Sequence, residues 1–152
     1  MPYTVVMEPS ERPCLVLVED SKADQMLFSQ ASKRAGLECD IEIHAKGDDA
    51  LRRLHEQGPP SLVVLDLNLP GLTGLEVLQE IRSAPALSTT VVLILTTSDQ
   101  PEDAAAAYRT GANSFITKPS DFDGFVAVLT SIKSYWLQTA TLPPKVVQPL
   151  SD

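Results

Sequence analysis

A chain of 152 residues is long enough to bury one full core and too short for two ordinary domains. Its formal charge of −8, with 12 basic residues scattered along it, excludes the basic face that a nucleic-acid backbone binder needs. Apolar runs fall far short of the roughly 20 residues of a membrane span, and the start has no signal-peptide core, so a cytoplasmic protein with no membrane contact is expected.

Residues 1–12, with Pro2 and Pro9, read as an extended leader. Cys14-Leu-Val-Leu-Val18 has no polar member, the pattern of a strand covered on both faces, and Glu19-Asp20 end it. Ser21, with Asp24 three residues on, is a capping-box-like start for a helix to about residue 35, with Ala23, Leu27 and Ala31 inward and Gly36 as its stop. Residues 39–45 alternate Ile41, Ile43 and Ala45 with polar neighbours, as a half-exposed edge strand does. A short helix over 48–57, with Leu51 and Leu54 inward, closes at Gly58-Pro59-Pro60.

Leu62-Val-Val-Leu65 is a third strand, with Asp66 directly after it and a Pro70-Gly71 turn leading into a helix from Gly74. A fourth strand over 90–95 ends in Thr96-Thr97-Ser98, and Pro101 suits the first turn of the helix that follows. Ser114-Phe-Ile-Thr117 makes a short fifth strand, terminated by Lys118-Pro119. The last helix, over 121–138, carries Phe122, Phe125, Val126, Leu129, Ile132 and Trp136 along one stripe, and prolines mark 139–152 as an extended tail. Cys14 and Cys39, without a CxxC or a matching histidine pair, read as buried thiols, and His44 and His55 stand alone.

Strands alternating with helices over short loops predict one α/β domain, residues 13–138, built as a doubly wound, five-stranded parallel sheet in the order 2-1-3-4-5, flavodoxin-like. In that order Asp20 and Asp66 end adjacent strands about 4.8 Å apart. Glu19, Asp20, Asp66, Thr96 and Lys118 then share the rim at the carboxyl ends of the strands, where open α/β sheets bind ligands. Two carboxylates about 6 Å apart repel by roughly 3 kcal/mol at an effective dielectric near 20, so three of them call for a cation, and Mg²⁺ suits oxygen ligands. With that charge neutralised, an Asp66 oxygen could attack a phosphoryl group, Thr96 could donate to a phosphoryl oxygen and Lys118 could balance its charge.

These residues, in this order and spacing, resemble the response-regulator receiver domains of the CheY-like family: Glu19-Asp20, the Asp66-Leu-Asn-Leu-Pro-Gly-Leu-Thr-Gly74 loop, Thr96, and Lys118-Pro119. The resemblance implies that Asp66 is the phospho-acceptor. It implies that Asp20, Asp66 and the backbone carbonyl of Asn68 bind Mg²⁺ with Glu19 acting through water, and that Thr96 and Lys118 contact the phosphoryl group. It further implies a cis Lys118–Pro119 peptide and a switch residue at Phe115, which lacks the hydroxyl many relatives carry there. Such a domain catalyses its own phosphorylation and dephosphorylation and turns over no separate substrate. Glu19 stands where Asp is more frequent, and Thr97 stands where a smaller residue is common, which predicts slower self-hydrolysis.

A last helix of about 27 Å overhangs a strand of about 17 Å, leaving Tyr135, Trp136, Leu137 and Leu142 without a core and predicting a homodimer contact. No effector domain is expected after the receiver, so output is expected by protein contact. The Trp-bearing last helix and the Leu-Thr-Thr-Ser segment are similar to single-domain regulators of bacterial phytochrome histidine kinases, which implies a phosphohistidine donor. Haloacid-dehalogenase-type phosphatases are one rival, but they need a second Asp at the position of Asn68. A phosphorylation-independent interaction module is the other.

Overall fold

Short apolar strands pair in parallel when a helix returns the chain to the same end of the sheet each time. The computed structural model describes residues 4–6 and 12–147, with side-chain burial over 12–144. The chain runs β1 (Thr4–Val6), β2 (Cys14–Val18), α1 (Lys22–Ala35), β3 (Asp40–His44), α2 (Gly47–Gln57), β4 (Leu62–Leu65), α3 (Gly74–Ser83), β5 (Val92–Thr96), α4 (Pro101–Thr110), β6 (Ser114–Thr117), α5 (Phe122–Ile132), a π-helical segment Lys133–Thr139, and β7 (Lys145–Val147). The main sheet has the order β3-β2-β4-β5-β6, which, counted among its own five strands, is the expected 2-1-3-4-5.

The strands read as continuous apolar runs because both faces are covered, and alternate residues divide between the two layers. Val16, Val18, Val63, Leu65, Val92 and Ile94 join the layer that includes α2, α3 and α4 residues. Leu15, Leu17, Leu62, Val64, Leu93 and Leu95 face Phe28 and Ala31 of α1 and Phe125, Leu129 and Ile132 of α5. Several helix ends have a local cause: Ser21 accepts from the Asp24 amide, Thr73 and Glu76 form a reciprocal capping box, and Gly36 and Gly111 end α1 and α4 in the left-handed region.

Three local expectations are corrected. On α1 the buried positions are Phe28, Ala31 and Ser32, with Ala23 exposed, because the helix turns Phe28 toward the sheet. The fourth strand begins at Val92, not residue 90, since Thr90 turns back to donate its hydroxyl to Leu87 O at 2.6 Å. The last helix is not one α-helix over 121–138: its register widens at Lys133, so Trp136 and Leu137 both reach the α1–α5 layer. Within the leader and tail, β7 pairs antiparallel with β1, Val5 opposite Val146, an association the sequence does not announce. The rest of the leader and tail expectation, residues 1–3, 7–11 and 148–152, lies outside the described residues. Among the described residues no helix is long and apolar enough to cross a membrane.

At the foot of β2, Arg53 grips Glu42 through Nε at 2.7 Å and Nη2 at 3.1 Å, and Cys14 Sγ donates to Glu42 Oε1 at 3.5 Å. Burial, then the Glu42 carboxylate, push the Cys14 thiol up to about 11 from an ordinary 9.0. Alkylating reagents act on the thiolate, so Cys14 in the folded protein at pH 8 is expected to react at least about tenfold more slowly than in the urea-unfolded chain, read by peptide mass. The folded value exceeds the unfolded one, so this stabilising share is complete below pH 9 and fades as pH rises toward 11.

Candidate functional site

Three strand ends are locked in place by ladder bonds that continue past the strands. The Glu19 amide donates to His44 O at 2.9 Å, the Asp66 amide to Val18 O at 3.1 Å, and the Lys118 amide to Thr96 O at 2.6 Å. Glu19, Asp66 and Thr96 are buried, while Asp20 is exposed. The site therefore has a dry floor and one wet acid at its mouth.

Lys118 crosses this floor. It continues the strand face of Ile116, the face toward α1 and α5, and its Nζ donates to Glu19 Oε1 at 2.5 Å, Asp24 Oδ2 at 2.8 Å and Asp66 Oδ2 at 2.9 Å. An ammonium has three donors, so all are used. Burial works against the lysine's charge, but the bonds to Asp24, Glu19 and Asp66 outweigh it and hold its pKa above the ordinary lysine range. Burial pushes the Glu19 carboxyl upward, opposed by its bonds from Lys118 and the Ser21 amide.

On the other side of Asp66, the Asn68 amide donates to Asp66 Oδ1 at 3.1 Å, and Asn68 Nδ2 lies 3.4 Å from Thr96 Oγ1. One carboxylate oxygen is thus tied to the lysine and the other to the loop, with the threonine hydroxyl within reach of that loop. The Lys118–Pro119 bond is trans, and among the described residues no peptide is cis, which corrects the cis bond that the resemblance implied. An X–Pro bond keeps a trans preference of about 0.5–1 kcal/mol, and the trans chain already carries the amine to three carboxylates.

Glu19, Asp20 and Asp66 each offer an oxygen within 4.8 Å of the others, a set that could hold a metal ion. The donors are all hard oxygens, which suits a cation such as Mg²⁺ or Mn²⁺ rather than zinc. Two direct ligands of Mg²⁺ stand at most about 4.2 Å apart, so this spread fits when one acid binds through water. With all acids ionised, Glu19, Asp20, Asp24 and Asp66 outnumber Lys118 and leave the site strongly negative.

The structure therefore brings Glu19, Asp20, Asp66, Asn68, Thr96 and Lys118 together. Phe115 lies apart, half-buried against the α4 layer, with its amide donating to Tyr108 Oη at 3.1 Å. Of the residues expected to find no core, Trp136, Leu137 and Leu142 are corrected: they pack partly buried on the α1–α5 layer, and Tyr135 alone stays 54% exposed. Two residues at the site were not expected there. Asp24, whose place in the sequence points only to a helix start, accepts from Lys118, and Gln25 donates its side-chain amide to Glu19 O at 2.6 Å. A cleft of about 570 Å³ between α3 and α4 is lined by none of these groups.

The family model for the response regulator receiver domain matches residues 15–130. The response regulator Rcp1 of Synechocystis sp. is 38% identical over 135 residues, covering 85% of this chain and 92% of that protein. A probable methanogenesis regulatory protein, FilR2, of Methanothrix harundinacea is 39% identical over 137 residues, covering 87% of this chain and 88% of its own length. Among solved structures, the Mn²⁺-bound form of Rcp1 superposes with a TM-score of 0.78 at 38% identity, covering 86% of this chain and 99% of that one. The phosphorylated cyanobacterial phytochrome response regulator RcpA superposes with a TM-score of 0.81 at 34% identity, covering 88% and 99%.

Proposed function

The chain belongs to the response regulator receiver domain family of two-component signalling, and from that premise we propose that Asp66 accepts a phosphoryl group from a phosphohistidine of a sensor kinase. An Asp66 oxygen attacks phosphorus, the P–N bond breaks with its electron pair left on the imidazole, and a P–O bond forms. Thr96 donates its hydroxyl to a phosphoryl oxygen, and Lys118 turns from the Asp66 carboxylate to the new oxyanion. Glu19 through water, Asp20, Asp66 and the carbonyl of Asn68 would hold Mg²⁺, which when bound neutralises charge on the phosphoryl oxygens. The observation that supports this most strongly is Lys118 Nζ at 2.9 Å from Asp66 Oδ2 on a buried floor.

Phosphorylation adds about −1.5 to −2 charges, which draws Thr96 and Lys118 inward and lets Phe115 repack against its neighbours as the signal. The donor is best sought among kinases of phytochrome type, since RcpA is a phytochrome response regulator and is 34% identical to this chain. A homodimer contact would centre on Tyr135 and Trp136, which line a groove of about 400 Å³ with Ile116, Val128 and Ile132, while Leu137 and Leu142 pack on their own domain. Sedimentation at rising concentration is expected to show a dimer, and a constant monomer mass would reject it. A haloacid-dehalogenase-type reaction lacks its acid, because Asn68 occupies that position.

The test of the main proposal is intact mass after incubation with a small acyl phosphate and Mg²⁺. Wild type is expected to gain one phosphate and Asp66→Ala none. Equal gain in both would place the acceptor elsewhere.

A further inference from the structure

Lys118 is held by one carboxylate more than phosphoryl transfer to Asp66 requires, and the inference drawn from it rests on that proposed transfer. Glu19 and Asp66 belong to the acidic trio with Asp20, but Asp24 comes from the first turn of α1 and accepts from the same ammonium. We propose that Asp24 is a positioning residue of the phosphoryl site: its carboxylate draws off part of the Lys118 charge, favouring a divalent cation at Glu19, Asp20 and Asp66 and weakening the hold on a phosphoryl group at Asp66.

Three observations carry this. First, the ammonium has no spare donor, since its acceptors lie at 2.5, 2.8 and 2.9 Å, so any oxyanion built on Asp66 must compete for Lys118. Second, the three acceptors are not equally easy to release. The Glu19 and Asp66 side chains are 4% and 6% exposed, whereas that of Asp24 is 31% exposed, so water can replace the lysine at Asp24 and not at the other two. Third, among the described residues the carboxylate of Asp24 has no other bond: Ser21 caps its backbone amide at 3.2 Å, not its side chain, so the helix start survives loss of the charge.

The consequence is a site with opposite preferences. An extra negative charge beside Lys118 raises the affinity of the neighbouring acids for a cation. The same charge lowers the affinity of Lys118 for an incoming anion. Asp24 thereby sets the unphosphorylated state as the metal-loaded resting state and shortens the life of the acyl phosphate. A residue that merely supported the fold would move both affinities together.

The experiment measures two dissociation constants by calorimetry for wild type, Asp24→Asn, Asp24→Ala and, as a charge control at the far end of the sheet, Asp40→Asn. One is for Mg²⁺ alone, and the other is for beryllofluoride at saturating Mg²⁺. Both Asp24 variants are expected to bind Mg²⁺ about two- to threefold more weakly and beryllofluoride about fivefold more tightly, with a longer-lived phosphate after acyl-phosphate treatment. Asp40→Asn is expected to match wild type in both. Parallel shifts of the two affinities in the Asp24 variants, or no shift in either, would overturn the role of Asp24. Failure of wild type itself to bind beryllofluoride or gain phosphate would overturn the phospho-acceptor reading beneath it, and is recognised without any variant.

Discussion

Lys118→Met is expected to lose about 3 kcal/mol of unfolding free energy in metal-free buffer and to recover most of it when Mg²⁺ is added. The lysine side chain is 6% exposed and bonds to two carboxylates that are themselves 4% and 6% exposed. Methionine fills the stem's volume, so the packing over Phe28 and Phe125 changes little and the loss reports on charge. Removing one member of a buried ion pair typically costs 3–5 kcal/mol because the other charge stays behind without a partner. The lower end applies here, since Asp24 can turn to water and Glu19, already pushed upward by burial, can take a proton. The sign with pH follows from that last point. In the variant the folded Glu19 carboxyl binds a proton more readily than the unfolded one, so stability rises as pH falls through a window just above the ordinary carboxylate range, and it declines above that window. Urea unfolding at pH 7.5 and pH 5.5, with EDTA and with Mg²⁺, reads all three terms. A variant as stable as wild type in EDTA would show that the carboxylates do not depend on the lysine.

Why this lysine could be found in the sequence, and its third partner could not, follows from where each sits. Glu19, Asp20, Asp66, Thr96 and Lys118 each end an apolar run, and in a parallel sheet run-ends converge on one rim. Their meeting needed only the strand order. Asp24 lies inside a helix, where an acid three residues after a serine is explained by capping alone. The missing signal was strand parity: Ile116 and Lys118 share the face that α1 covers, so an acid in the first turn of α1 comes within reach of the lysine. Other features leave no local trace. The pairing of β1 with β7 joins segments at opposite ends of the chain, each only three residues long. The wider register after Ile132 accompanies the packing of Trp136 and Leu137 on the α1–α5 layer, which the spacing of the stripe on α5 does not announce. Proline at 119 permits a cis bond without requiring one, and the trans chain meets the site's needs.

Gly74→Ala is expected to be the most damaging single methyl group that can be added near the site, costing about 3 kcal/mol and lowering Tm by roughly 6–12 °C. Sequence alone makes Gly74 an ordinary helix start after a turn; the structure gives it a different reason. A Cβ there would stand 2.2 Å from Asp66 O, 2.6 Å from Leu67 Cα and 2.9 Å from Asp66 C. All three are backbone atoms, so no side chain can rotate away, and the Gly74 amide is itself tied to Leu67 O at 3.0 Å. Relief must come from moving the segment that carries Asp66, which would break the alignment of its two oxygens between Lys118 and the Asn68 amide. A shift of about 1 Å in a reacting group can cost on the order of a hundredfold in rate, so phosphate gain from an acyl phosphate should slow by at least about tenfold in whatever fraction stays folded. Gly71→Ala is the control, because nothing lies within 4 Å of its Cβ and only a positive φ of 71° opposes the substitution, worth about 1 kcal/mol. Equal losses for the two variants, by thermal melting and by rate, would mean that the loop gives way freely and that Asp66 is not held by this close approach.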